Sequence, residues 1–437
     1  MLVVATSATS ASAFANPEWS TSVNPISVGP ITNISEPCTG QNAEVEQAID
    51  PAGARDVYDA WMGCQGIGFA YSTNRGASFS TPVQLPRSDG TSDDPSVAVG
   101  PTGTVYVAFM VSVGDQSYPV VDASFNHGAS FPQVTSIIPT DPENFGDSPN
   151  LAVGPDGTLY ITWAYGPSND SVILRCKKNG SCSFSSGELN VVIQKSTDSG
   201  RTFSTMVSVN PDYPVGGADN GPIVVGPEGQ LDVLYQRYPT NPKTLALSPA
   251  QNYFTSSDNG GATWSTPVVV GPDAGTMSLG EWWNEPGLGI DSAGNLYAAW
   301  DTQGKTSSRE RIDTGWLSYS EDGGAQWSRP VQAPSNKKNY PHIMEVIGAG
   351  PGQAYAGWLS DDSPRGYSLY VRPFSITSGW LARPRRISEL FGSRSVWPGD
   401  TFGLSIFDSD HLITTWGSAA TNRKDSAIYA AEETMAS

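Results

Sequence analysis

Five times along this 437-residue chain a short polar box recurs with the same spacing, Ser-x-[Asp/Asn]-x-Gly-x-x-[Phe/Trp]. The copies occupy residues 72–79, 124–131, 196–203, 257–264 and 320–327, and each leads into an apolar strand. The reason for the pattern is local. A short polar side chain two residues before a glycine can bond the backbone of its own turn, the glycine takes a backbone conformation that other residues avoid, and the aromatic packs as the next strand begins. One such box is an ordinary hairpin turn. Five in one register mean a repeat architecture.

A second repeat interlocks with the first: a short apolar strand, a Gly-rich turn, then a strand ending in an aromatic. It is clear at residues 95–109, 149–163, 223–235 and 286–300, and looser at 48–61, 343–358 and 403–416. Seven copies give seven units of about sixty residues. Each supplies an inner strand A, a strand B with its aromatic end, a strand C running into the box and an outer strand D after it. That is the pattern of a seven-bladed, all-β propeller with four-stranded antiparallel blades. Blade six has only a degenerate turn at residues 377–380. After Trp416 the chain has room for one strand more, whereas residues 19–26 match the D-strand pattern of residues 264–270. The N-terminal strand is therefore expected to complete the last blade.

These boxes resemble the Asp-box, or BNR, repeats of sialidase-like propellers, over nearly the whole chain. The resemblance implies the propeller fold and a carbohydrate-related activity. Sialidases of that family bind the substrate carboxylate with three arginines, the first in an Arg-Ile-Pro motif on the inner strand of blade one. This chain has no Arg-Ile-Pro, and the matching stretch, Glu44-Val-Glu46, has the wrong charge. The resemblance therefore implies the fold and a sugar-active role, and no catalytic residue is carried over.

Loop length points to the working face. The A–B turns and the boxes are short, and the long connections, residues 164–190, 236–252, 271–285 and 301–315, fall on the opposite side. Long loops on one side of a rigid ring are where sites are built. At that end of each strand A stand Glu44, Asp93 and Asp94, Asp147, Asp219 and Asn220, Asn284 and Glu285, and Asp400, with Tyr340 and His342 in blade six. Converging carboxylates raise one another's pKa, the condition for an acid and a base at neutral pH. Glycoside hydrolysis needs such a pair. The alternative is that these residues only cap strand entries. The candidate catalytic set is Glu285, Asp94, Asp400, Asp147 and Glu44. Trp282, Trp283, Tyr340, His342, Trp397 and Arg237 are the candidate sugar contacts, because Trp282, Trp283, Tyr340 and Trp397 do not fit the aromatic slots of the blades. A lyase using Tyr340 with His342, and a binding propeller without catalysis, remain the competing readings.

Composition narrows the class. A net charge of −19 argues against nucleic acid and anionic membranes as partners and would repel polyanionic glycans too unless a basic patch overrides it; a glycan partner is what the resemblance implies. No phosphate-binding loop, dinucleotide fingerprint or zinc motif is present, so no cofactor or metal is expected. Residues 1–15 are apolar and small and end in Ala13-Phe-Ala15, which reads as the remnant of a signal peptide before one propeller domain at 16–437. The four cysteines fit export as two bridges, Cys38 with Cys64 and Cys176 with Cys182. The expectation is a secreted monomer.

Overall fold

The computed structural model describes residues 25–435 except 53–54, 86–89, 169–170, 177–181, 187–188, 211–216, 220, 239–250, 272–285, 306–310, 334–340, 364–365, 389–395 and 421–424. Seven antiparallel blade sheets follow one another along the chain, with one further two-stranded hairpin in a loop of the third. Blade 1 is built from Ala43–Ile49, Val57–Gly63, Gly66–Ser72 and Val83–Gln84, in that order from the inside outwards. Blades 2 to 6 repeat the order, and the inner strands of successive blades touch in turn, blade 7 returning to blade 1. The ring is closed by the N-terminal segment, where Ile26–Val28 pairs with Ser426–Met435 as the outer strand of blade 7 and Thr32–Asn33 pairs with the same strand further along. This strand lies at the C-terminal edge of the stretch that the sequence marks out. Residues 1–24, with the expected signal peptide and Trp19, lie outside the described residues. Blade 6, whose turn is degenerate, still has its outer strand, in two pieces at Gly379–Trp380 and Arg385–Arg386.

The boxes explain why the blades form where they do. In blade 1, Gly76 N–H donates to Ser72 Oγ at 2.9 Å, and Ser72 Oγ donates to Asn74 Oδ1 at 2.8 Å. Asn74 Oδ1 also accepts from Ser78 N–H at 2.9 Å. The same bonds recur around Ser124, Ser196, Ser257 and Ser320. Two consecutive residues per box are left-handed, for example His127 and Gly128 at φ 55° and 80°. The sequence pattern accounts for the glycine; it does not show that the residue before it shares the conformation.

Between blades the core is apolar and aromatic. Trp61, Phe109, Trp163, Tyr235, Trp300, Trp358 and Trp416, one on each strand B, are all buried. Burial of such side chains, at about 25 cal/mol per Å², supplies the bulk of the stabilisation. The Trp61 indole N–H donates to Asn42 Oδ1 at 3.0 Å, so its polar edge is satisfied. Cys38 and Cys64 form a disulfide that ties the N-terminal loop to blade 1. Cys176 and Cys182 stand directly opposite each other in the hairpin Val172–Cys176 and Cys182–Ser186, and their side chains lie outside the described ones. No described helix is long and apolar enough to cross a membrane.

Candidate functional site

The inner strands of blades 1, 2 and 3 share an irregularity on the loop face. Pairing slips between Ala43 and Val45, between Asp93 and Ser96, and between Asp147 and Asn150. At the slips, Glu44, Asp94 and Ser148 adopt φ values of 50°, 46° and 46°. A bulge inserts one residue, bends the strand and re-aims its side chains, and left-handed non-glycine residues persist only where surrounding structure over-determines them. Here the support is visible. Glu44 N–H donates to the carbonyl of Pro398, and Asp94 N–H donates to Glu44 Oε2 at 3.2 Å. A side chain on Gly399 would meet the Glu44 backbone at 2.1 Å. The segment before Asp400 can therefore press against blade 1 only because that position is glycine.

The bulges bring carboxyl groups from neighbouring blades together. Carboxyl oxygens of Glu44, Asp94 and Asp400, from blades 1, 2 and 7, lie within 4.8 Å of one another. Asp147 of blade 3 joins them through a hydrogen bond to Asp94, and Asp93 and Asp219 act on it electrostatically. Burial, followed by the charges of Asp400 and Asp94, raises Glu44 well above the ordinary carboxylate range. Asp400 is pushed up to about 7 by burial and then by Asp94. Asp93 is also pushed up to about 7, by burial and by its neighbour Asp94. Asp147 is raised by burial first and then by Asp94. Like charges this close cannot all ionise, so protons are shared within the cluster near neutrality. Chemically, the set can donate a proton, accept one, or hold a cation through oxygen ligands.

A second acid pair lies along the same inner strands. Glu46 is raised by burial and then by Glu345 of blade 6, and is hydrogen-bonded to Thr401 of blade 7. Glu345 is pushed up to about 8 by burial. In the sequence Glu46 stands out only as a mismatch to the Arg-Ile-Pro motif, and nothing marks Glu345. The available signal was alternation: in a strand, residues two apart share a face, so Glu46 follows Glu44.

Of the candidate catalytic residues, then, Glu44, Asp94, Asp147 and Asp400 meet, whereas Glu285 lies outside the described residues. Trp282, Trp283 and Tyr340 also lie outside them. His342 occupies the strand Pro341–Gly348 opposite Leu359, at a bulge matching those of blades 1 to 3, with its side chain outside the described ones. Trp397 is half-buried on the segment that carries Asp400. The Arg237 guanidinium lies 5.5 Å from the Tyr253 ring centroid within blade 4.

No protein-family profile and no curated protein matches the chain. Solved structures do match in fold. A polysaccharide lyase described as an ulvan lyase bound to -[GlcA(1-4)Rha3S]- superposes with a TM-score of 0.58 at 11% identity, over 91% of this chain and 95% of that one. The polysaccharide lyase Uly1 gives 0.52 at 12% identity, over 89% and 91%. A protein of unknown function from Dyadobacter fermentans DSM 18053 gives 0.52 at 16% identity, over 81% and 97%. At such identities these likenesses establish the shared fold: the chain is an all-β, seven-bladed propeller whose structural neighbours include carbohydrate-active enzymes.

Proposed function

We propose that the chain is a secreted glycoside hydrolase working at the loop-face mouth of the central channel, with Glu44, Asp94 and Asp400 sharing the acid and base roles. The observation that carries this reading is the meeting of three carboxyl groups from three blades within 4.8 Å, with Glu44 and Asp400 both raised. A carboxyl kept protonated near neutrality protonates the departing glycosidic oxygen. An ionised partner attacks the anomeric carbon or activates water. The close spacing is nearer the roughly 5–5.5 Å of retaining enzymes than the wider gap of inverting ones. Asp147 adjoins the set and tunes it. Trp397 supplies a stacking surface, and Glu285, Trp282 and Trp283 belong to the same face on sequence grounds.

The concentration of acid favours an uncharged glycan. A sugar bearing carboxylate or sulfate would be repelled by these groups, and lyase chemistry would further need a cation to neutralise a uronate. Export agrees with the Cys38 with Cys64 bridge and with the apolar N-terminal residues. The test is a screen of the purified protein on neutral chromogenic glycosides and polysaccharides. Glu44→Gln and Asp400→Asn should each lower turnover by about a hundredfold or more with unchanged folding. Turnover of a uronate polymer to unsaturated product, with none on neutral glycans, would replace this reading with the lyase. Binding without turnover on any glycan would leave a binding propeller.

A further inference from the structure

On the face opposite the carboxyl cluster, blades 1 and 2 meet at three side chains whose ligand atoms converge, with the Tyr58 hydroxyl hydrogen-bonded to two of them, His127 and Asp56. Asp50 follows the strand Ala43–Ile49, Asp56 precedes Val57–Gly63, and His127 is the left-handed residue of the blade 2 box. One ligand atom from each lies within 4.8 Å of the other two. His127 Nδ1 stands 3.9 Å from Oδ2 of Asp50 and 3.9 Å from Oδ2 of Asp56. The Tyr58 hydroxyl is 3.4 Å from the same nitrogen. The two carboxylate separations exceed a hydrogen bond. They suit donors on one ion: with bonds of about 2.0–2.2 Å, two ligands stand roughly 3–4 Å apart.

Two further observations separate this cluster from an ordinary surface ion pair. The Asp50 side chain is only 5% exposed. Its Oδ1 accepts the Ala52 amide at 2.8 Å, whereas Oδ2 accepts no hydrogen bond from any described residue. That oxygen is the one turned towards His127. The second observation is a contrast between blades. At the same box position blade 1 carries Arg75, which closes directly on Glu432 at 3.2 Å and Asp408 at 3.4 Å, and blades 3 to 5 carry Ser199, Gly260 and Gly323. Blade 2 alone presents a lone-pair donor to two carboxylates. The imidazole is seated against Gly103, where a side chain would meet its Cε1 at 2.7 Å.

We propose that Asp50, Asp56 and His127 form an inter-blade site for a divalent transition-metal ion of the zinc class, with water completing the shell. One imidazole nitrogen and two carboxylate oxygens suit zinc or manganese better than calcium, which prefers oxygen alone. Binding requires the Nδ1 lone pair, so any proton there is released to solvent, and affinity falls in acid. The ion would staple the strand A to strand B turn of blade 1 to the box of blade 2, a role independent of the opposite face.

The test uses the full, tag-free chain after treatment with a chelator. Titration calorimetry with zinc chloride, and in parallel calcium chloride, is followed by thermal denaturation with and without zinc. The expected result is one zinc bound per chain, a raised melting temperature and weak or no calcium binding. His127→Gln and Asp50→Asn should each weaken zinc binding at least tenfold, while His411→Gln, which alters the other histidine near an aspartate, should leave it unchanged. His127 is 56% exposed, so its replacement leaves the fold intact. Zinc affinity unchanged in both His127→Gln and Asp50→Asn, an equal loss in His411→Gln, or no zinc binding to the wild-type chain would each overturn the proposal.

Discussion

Asp122 gives the fold a measurable preference for acid. Its strand C position has counterparts in blades 3 to 6, and each of those donates a hydrogen bond to the carbonyl ten residues on. Gln194 Nε2 donates to Ser204 O at 2.8 Å, Thr255 Oγ1 to Ser265 O at 2.9 Å and Ser318 Oγ to Ser328 O at 2.8 Å, and Arg372 Nε to Ala382 O. In blade 2 the residue ten on is Pro132, and neither oxygen of the fully buried Asp122 has a hydrogen-bond partner. Only the protonated acid can act as a donor there, and burial pushes its pKa up to about 8. The unfolded chain ionises this group near pH 4 while the folded one keeps its proton. Stability is therefore fully present below about pH 4, declines as pH rises towards 8, and is flat above. At about 1.4 kcal/mol per pKa unit the cost is capped at roughly 6 kcal/mol, and with an effective interior dielectric nearer 20 than 4 about half of that, ~3 kcal/mol, is expected. Asp122→Asn keeps the shape, adds a permanent donor and removes the ionisation. It should raise the melting temperature at pH 8 by roughly 3–4 °C for a chain of this size, and change it little at pH 4. Differential scanning calorimetry at the two pH values decides the matter: an equal gain at both, or a loss at both, refutes the reasoning.

Three other perturbations follow from the architecture. Deleting residues 1–30 removes Ile26–Val28 from the last blade and should lower the melting temperature sharply, whereas deleting 1–15 should not; equal melting points would contradict the closure. Breaking the Cys38 with Cys64 bridge, 26 residues apart, should cost about 3–4 kcal/mol by the chain-entropy relation, read from denaturant midpoints with and without reductant. Gly324→Ala places a carbon 1.9 Å from the Phe254 ring at a φ of 84°, and should destabilise by about 2–4 kcal/mol. Limited proteolysis reports it as cleavage near blades 4 and 5, and resistance equal to the wild type would mean that the ring moves aside freely.

The architecture was legible in the sequence because each blade is specified locally. A box such as Ser196, Asp198 and Gly200 closes its bonds within a few residues, and each strand B carries a large aromatic that is buried between blades. Strand alternation and turn chemistry act over short distances, so spacing alone counted the blades and placed the closing strand at the N-terminus. The candidate acids were visible singly, as Glu44, Asp94, Asp147 and Asp400 at one end of each strand A. What no spacing could show is that a bulge rotates Glu44 and Asp94 into left-handed backbone, or that Asp400, over three hundred residues away, meets them from the blade that closes the ring. The same holds for Glu46 with Glu345, and for Asp50 and Asp56 with His127. Those encounters depend on the angle between blades and on desolvation inside the ring, which exist only once all seven blades have packed. The pKa shifts that make the site chemically interesting arise from that burial, so they belong to the tertiary structure and to no segment of the chain.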